Sequence, residues 1–99
     1  MRKTHSADLQ KTPLPKVFQA LSDPARLGIL RTLLEKGEAP CSECDLPVSK
    51  STLSHHYKVL RQVGLITTRS EGTRQVNCLD RWAIERRFPG LLEWIDRME

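Results

Sequence analysis

The sequence predicts a mainly α domain of about five helices with one two-stranded β-hairpin. Three observations carry that expectation. Apolar residues recur at spacings of three and four in separate stretches, each bounded by Pro, Gly, Asp or Ser. Only one pair of short β-prone segments occurs, on either side of Gly72. The chain has 99 residues, enough for one domain and too few for two.

Residues 1–13 are polar, with Leu9 the one sizeable apolar residue after Met1, and are read as a flexible arm. The domain proper is expected to span 14–99. Leu14, Val17, Phe18 and Leu21 mark a short amphipathic helix. Asp23 can cap the next helix, with Pro24 in its first position, where a missing N–H costs nothing. Leu27, Leu30, Leu33 and Leu34 form that helix's apolar stripe, and Gly37 ends it. Between Glu38 and Pro47 the prolines leave room for about one helical turn, around Cys41 to Leu46. Ser49 or Ser51 can cap the following helix, which ends at Gly64. One face of it carries Leu53, His56, Leu60 and Val63, with Val59 beside them. Leu65–Arg69 and Arg74–Leu79 read as strands joined by a turn over Ser70–Thr73. Asp80 caps a helix to about Arg87, Phe88-Pro89-Gly90 breaks it, and Leu91, Leu92, Trp94, Ile95 and Met98 continue an apolar helical face. Helix, helix, glycine, basic hairpin is the order of a winged helix-turn-helix.

The net charge of +4 is unevenly spread. Lys50, Lys58, Arg61, Arg69 and Arg74 stand against Glu71 between residues 49 and 79. Elsewhere eleven basic residues balance eleven acidic ones. The whole excess therefore lies on one helix and hairpin, as a phosphate-facing surface requires. On the helix, Lys50, Ser51, Thr52, Ser54 and His55 are candidates for base edges. Lys58, Arg61, Arg69 and Arg74 are candidates for phosphate. A winged-helix module that binds protein and never touches DNA is the alternative of another class, and it would not gather its charge there.

Enzymatic function is not expected: the chain shows no glycine-rich phosphate loop, no paired carboxylates and no complete metal triad. No cofactor is expected. No apolar run approaches the ~18 residues of a membrane span, and the N-terminus lacks a signal-peptide apolar region. Three cysteines, an odd number, fit a reducing cytoplasm.

The segments Ala20–Leu27 (ALSDPARL), Ser49–His56 (SKSTLSHH) and Val59–Ile66 together resemble the ArsR/SmtB family of repressors. Phe88–Leu92 (FPGLL) resembles a C-terminal variant in that family. The resemblance covers about residues 14–99. It implies a homodimeric repressor on an inverted-repeat operator in double-stranded DNA, with the 49–62 helix reading bases and the Arg69–Arg74 wing beside it. It implies a dimer built from the first and last helices. Phe18, Phe88, Leu91, Leu92, Trp94 and Ile95 are the interface candidates. Many metal sensors in the family carry a Cys-x-Cys box ahead of an Asp-Leu pair. Here Cys44 takes the second position, Ser42 the first, and Cys41 lies one residue too early. The last helix has no histidine for the family's other metal site. No metal site is therefore assigned. Cys41 and Cys44, with distant Cys78, remain open as metal ligands, as a thiol redox pair or as inert residues.

Overall fold

A computed structural model of the chain describes residues 3–4, 8–40 and 47–98. Its elements are β1 (Lys3–Thr4), α1 (Leu14–Leu21), α2 (Pro24–Lys36), β2 (Glu38–Pro40), α3 (Lys50–Val63), β3 (Ile66–Glu71), β4 (Arg74–Leu79), α4 (Arg81–Arg87) and α5 (Leu91–Arg97). Cys41, Cys44 and the turn expected at 41–46 lie outside the described residues.

Local chemistry sets the helix boundaries. Asp23 Oδ1 accepts the amides of Ala25 (2.8 Å) and Arg26 (3.3 Å), pairing donors that the helix start leaves free, while Pro24 has none to pair. Ser49 Oγ accepts the Thr52 amide at α3, and Asp80 Oδ1 the Ala83 amide at α4. Gly64 ends α3 at φ +91°, a conformation that penalises any side chain. The Leu65 amide then reaches back to the Leu60 carbonyl at 3.1 Å, a Schellman closure. That turn drives Leu65 and Ile66, both 0% exposed, into the core as β3 begins.

The expected hairpin is present; its second strand has the expected bounds and its first runs two residues further than anticipated. Glu71 pairs with Arg74, so the turn shrinks to Gly72-Thr73. Gly72 has φ +65° and Thr73 an ordinary φ, the sign pattern of a type II′ turn. Two short strands flank the hairpin, giving an antiparallel sheet in the order β1-β3-β4-β2. Neither was anticipated. A polar dipeptide and a segment containing Pro40 have no strand signature of their own, and tertiary pairing orders them. Within the sheet Thr68 Oγ1 donates to Asn77 Oδ1 at 2.8 Å, so both polar side chains are buried with partners.

The core gathers residues from α1, α2, α3, α4 and α5 together with Leu65, Ile66 of β3 and Leu79 of β4. Ile29, Leu30 and Leu33 of α2 and Leu60 of α3 are 0% exposed. Removing each such side chain from water contributes roughly 1.5–3 kcal/mol.

Three expectations need correction. The arm expected at 1–13 is tied to the domain: Lys3–Thr4 pairs with β3, and the chain is packed from Asp8 onward. Leu9 is 1% exposed, and Thr12 Oγ1 donates to the Val63 carbonyl at 3.0 Å. Arg87 donates to the carbonyls of Leu9 and Thr12, and Gln10 Nε2 to that of Ala83 at 2.8 Å. A lone leucine shows no period, so its burial leaves no trace in the pattern. Leu92 and Ile95, expected at a subunit interface, are 6% and 3% exposed within this one chain. Helix α5 lies back on α2, and Arg31 donates to the Met98 carbonyl at 2.7 Å. The α1 stripe is also split. Val17 and Ala20 face inward, while Leu14 and Phe18 are 42% and 56% exposed.

Candidate nucleic-acid interface

Helix α3 presents two chemically distinct sides. Leu53, His56, Tyr57, Leu60 and Val63 are buried. Lys50, Ser51, Thr52, Ser54, His55 and Lys58 are all exposed. With 3.6 residues per turn, these six form a continuous outer face. The hydroxyls at its start form a small network: Ser49 Oγ lies 3.2 Å from Ser51 Oγ and donates to Thr52 Oγ1 at 2.9 Å. The exposed amide end of α3 is thus ringed by hydroxyls, a setting suited to phosphate.

The docking of α3 is fixed from behind by Arg26. Its Nε donates to the Ala20 carbonyl (2.7 Å) and Nη2 to the Gln19 carbonyl (3.1 Å), satisfying the end of α1. Its Nη1 lies 3.2 Å from His56 Nδ1. Arginine can only donate, so Nδ1 is the acceptor and the ring proton sits on Nε2. His56 is thus a structural link between α2 and α3. Its neighbour His55 points outward, as adjacent helical positions must diverge.

The wing stands at one edge of α3, where Arg61 Nη1 approaches Thr68 Oγ1 at 3.5 Å. Arg61 is half-buried, and Arg74, near the hairpin tip, is exposed. Arg69 departs from expectation. Its Nη1 and Nη2 donate to the two oxygens of Glu38 at 2.5 and 2.6 Å, and Nη2 also to Glu71 at 3.0 Å. Its side chain is only 16% exposed. The Arg69 hydrogen bonds hold the Glu38 carboxyl below its ordinary range, and both carboxylates hold the guanidinium firmly charged. An arginine so engaged is not open to phosphate. The sequence reading missed this because Glu38 is 31 residues away from Arg69. Adding Glu38 to the wing leaves five basic against two acidic residues, so the face remains positive.

Among the described residues no group of three His, Cys, Asp or Glu side chains could hold a metal ion. No described helix is long and apolar enough to cross a membrane. Cys78 is a half-buried free thiol whose Sγ lies 3.6 Å from the Leu79 carbonyl.

A capped helix with a polar and basic outer face, docked beside a β-hairpin, defines a winged helix-turn-helix of the DNA-binding class. A helix-turn-helix domain model matches residues 21–69. The chain is 39% identical over 83 residues to YceK of Bacillus subtilis (strain 168), an uncharacterized HTH-type transcriptional regulator, covering 79% of this chain and 81% of that one. It is 38% identical over 77 residues to the arsenical resistance operon repressor of the same organism, covering 74% and 70%. The crystal structure of an ArsR family transcriptional regulator superposes with a TM-score of 0.65 at 25% identity, covering 82% of this chain and 90% of that one. The chain belongs to the ArsR family of helix-turn-helix transcriptional regulators, which are DNA-binding proteins and not enzymes.

Proposed function

We propose that this chain is a homodimeric repressor that occupies an inverted-repeat operator and leaves it on a signal. In this reading α3 lies in the major groove, and Lys50, Ser51, Thr52, Ser54 and His55 reach base edges. Lys58 and Arg61 meet phosphate, and Arg74 touches the backbone beside the half-site. The observation that carries it is the outer face of α3, where Lys50 and Lys58 stand exposed without an ion pair among the described residues. A second copy has apolar surface to meet. Phe18 and Trp94 are 56% and 73% exposed. The Phe18 ring lies 6.5 Å from that of Phe88, so α1 and the α4–α5 junction share one patch.

Genome-wide recovery of bound DNA, followed by footprinting and fluorescence anisotropy on the recovered site, tests the proposal. Two protected half-sites about one helical turn apart are expected, with affinity that falls steeply as salt rises. Salt-insensitive binding, or equal affinity for all sequences, would refute it.

A further inference from the structure

A second basic surface lies on the opposite edge of α3 from the wing. A cleft of about 450 Å³ opens between α1, α2 and α3. Its polar lining is Lys16 and Gln19 from α1 and His55 and Gln62 from α3, over a floor that includes Ala20 and Val59. Arg26 forms part of the wall. Three of its five N–H groups are taken up by Ala20, Gln19 and His56, and its charge remains. No carboxylate among the described residues lines the cleft. Lys16 is exposed and makes no ion pair among them.

Helical phase relates this cleft to the wing. His55 and Gln62 are seven residues apart and share one edge of α3. Arg61, which faces Thr68 of the wing, lies roughly 100–120° round the helix from both. A major groove about 12 Å wide admits a helix of about the same diameter, so both phosphate walls come within reach. The wing serves one wall. The element flanking the other edge of α3 is α1, with the cleft between them.

We infer that this cleft seats a backbone phosphate of the operator, held by Lys16 with Gln19 and Gln62, on the groove wall opposite the wing. The inference rests on the operator reading above and extends the interface to α1. Lys16 supplies the charge, Gln19 and Gln62 supply neutral amide donors, and the absence of carboxylates leaves the anion unopposed.

The test is the salt dependence of operator affinity for the full chain and its Lys16→Ala, Gln62→Ala and Lys36→Ala variants. Lys36 ends α2, ~15 Å along the helix from Arg26, and serves as a control. Each lost phosphate contact should flatten the slope of log affinity against log salt by about 0.9, or about 1.8 for a dimer with two clefts. With affinity at 1 M salt unchanged, that is about an eightfold loss per site at 0.1 M. Lys16→Ala is expected to show this flattening uniformly across operator sequences. Gln62→Ala should weaken binding at an unchanged slope, and Lys36→Ala should match the parent. A Lys16→Ala protein with the parent slope overturns this inference alone. A parent chain that binds no operator overturns the operator reading, and this inference with it.

Discussion

Truncating Leu9 to alanine should destabilise the whole domain, although the residue sits only nine positions from the start of the sequence. Leu9 is 1% exposed and joins the same apolar cluster as Val17, Ile84 and Leu92. Removing its isobutyl group deletes buried apolar surface and leaves a space that the neighbours fill only in part. Such changes cost about 2–5 kcal/mol. The segment cannot easily shift to close that space, because Arg87 grips the carbonyls of Leu9 and Thr12 while Thr12 holds Val63. A value in the middle of the range is a large share of the roughly 5–15 kcal/mol that a domain of this kind possesses. For about 100 residues, each kcal/mol shifts the melting temperature by roughly 4–8 °C. Urea and thermal unfolding followed by circular dichroism should therefore show a drop of about 10 °C or more. A loss under about 0.5 kcal/mol would refute the reasoning and restore the free arm that the polar composition suggests.

The two wing arginines should behave differently on operator DNA. Arg74→Ala should flatten the salt slope by about 0.9 per site, whereas Arg69→Ala, already paired with Glu38 and Glu71, should leave it unchanged; equal flattening would show that the ion pair opens on DNA. Asp23→Ala should cost about 0.5–2 kcal/mol through loss of the α2 cap, measured by denaturant unfolding. Burial raises the Asp23 pKa, but the amides of Arg26 and Ala25 outweigh it and the net shift is downward. A depressed folded pKa means that this stabilisation is complete above the ordinary value of 3.8 and is lost as pH falls below it. Parent stability should thus decline there more steeply than that of Asp23→Ala, and parallel curves would contradict the assignment. Trp94→Glu places a charge on a side chain 73% exposed in the single chain, so it should leave the fold intact and yield monomers by light scattering. A variant that remains dimeric would move the interface off α5.

Features decided within a few residues were legible in the sequence. Asp23-Pro24, Ser49, Gly64 and Asp80 mark helix ends because capping needs only the local chain, and all four act where expected. The outer face of α3 was legible for the same reason, since a 3.6-residue period assigns Lys50, Ser54 and Lys58 away from Leu53 and Leu60. What escaped depends on partners distant in sequence. Nothing near Arg69 announces Glu38, and nothing near Leu9 announces Arg87. Leu92 and Ile95 show how an apolar helical face reads the same whether it covers its own chain or another. The cleft beside α3 was equally hidden, because Lys16 and Gln62 meet only when α1 packs on α3.

The short flanking strands have a mechanical consequence for the hairpin between them. β1 pairs with Thr68 and Arg69 on one side, and β2 with Val76, Asn77 and Cys78 on the other. Both outer edges are therefore closed along the lower half of the hairpin, while Ser70 to Gln75 project beyond them. The wing is a cantilever, clamped at its root and free for its last few residues. Bending then concentrates at the tip that carries Arg74, and the root beneath α3 keeps its angle. The closing strands are two and three residues long, and Pro40 offers no amide at the end of β2. Such abbreviated borders give another chain little to template on, which keeps a sheet at the molecular surface from extending into its neighbours.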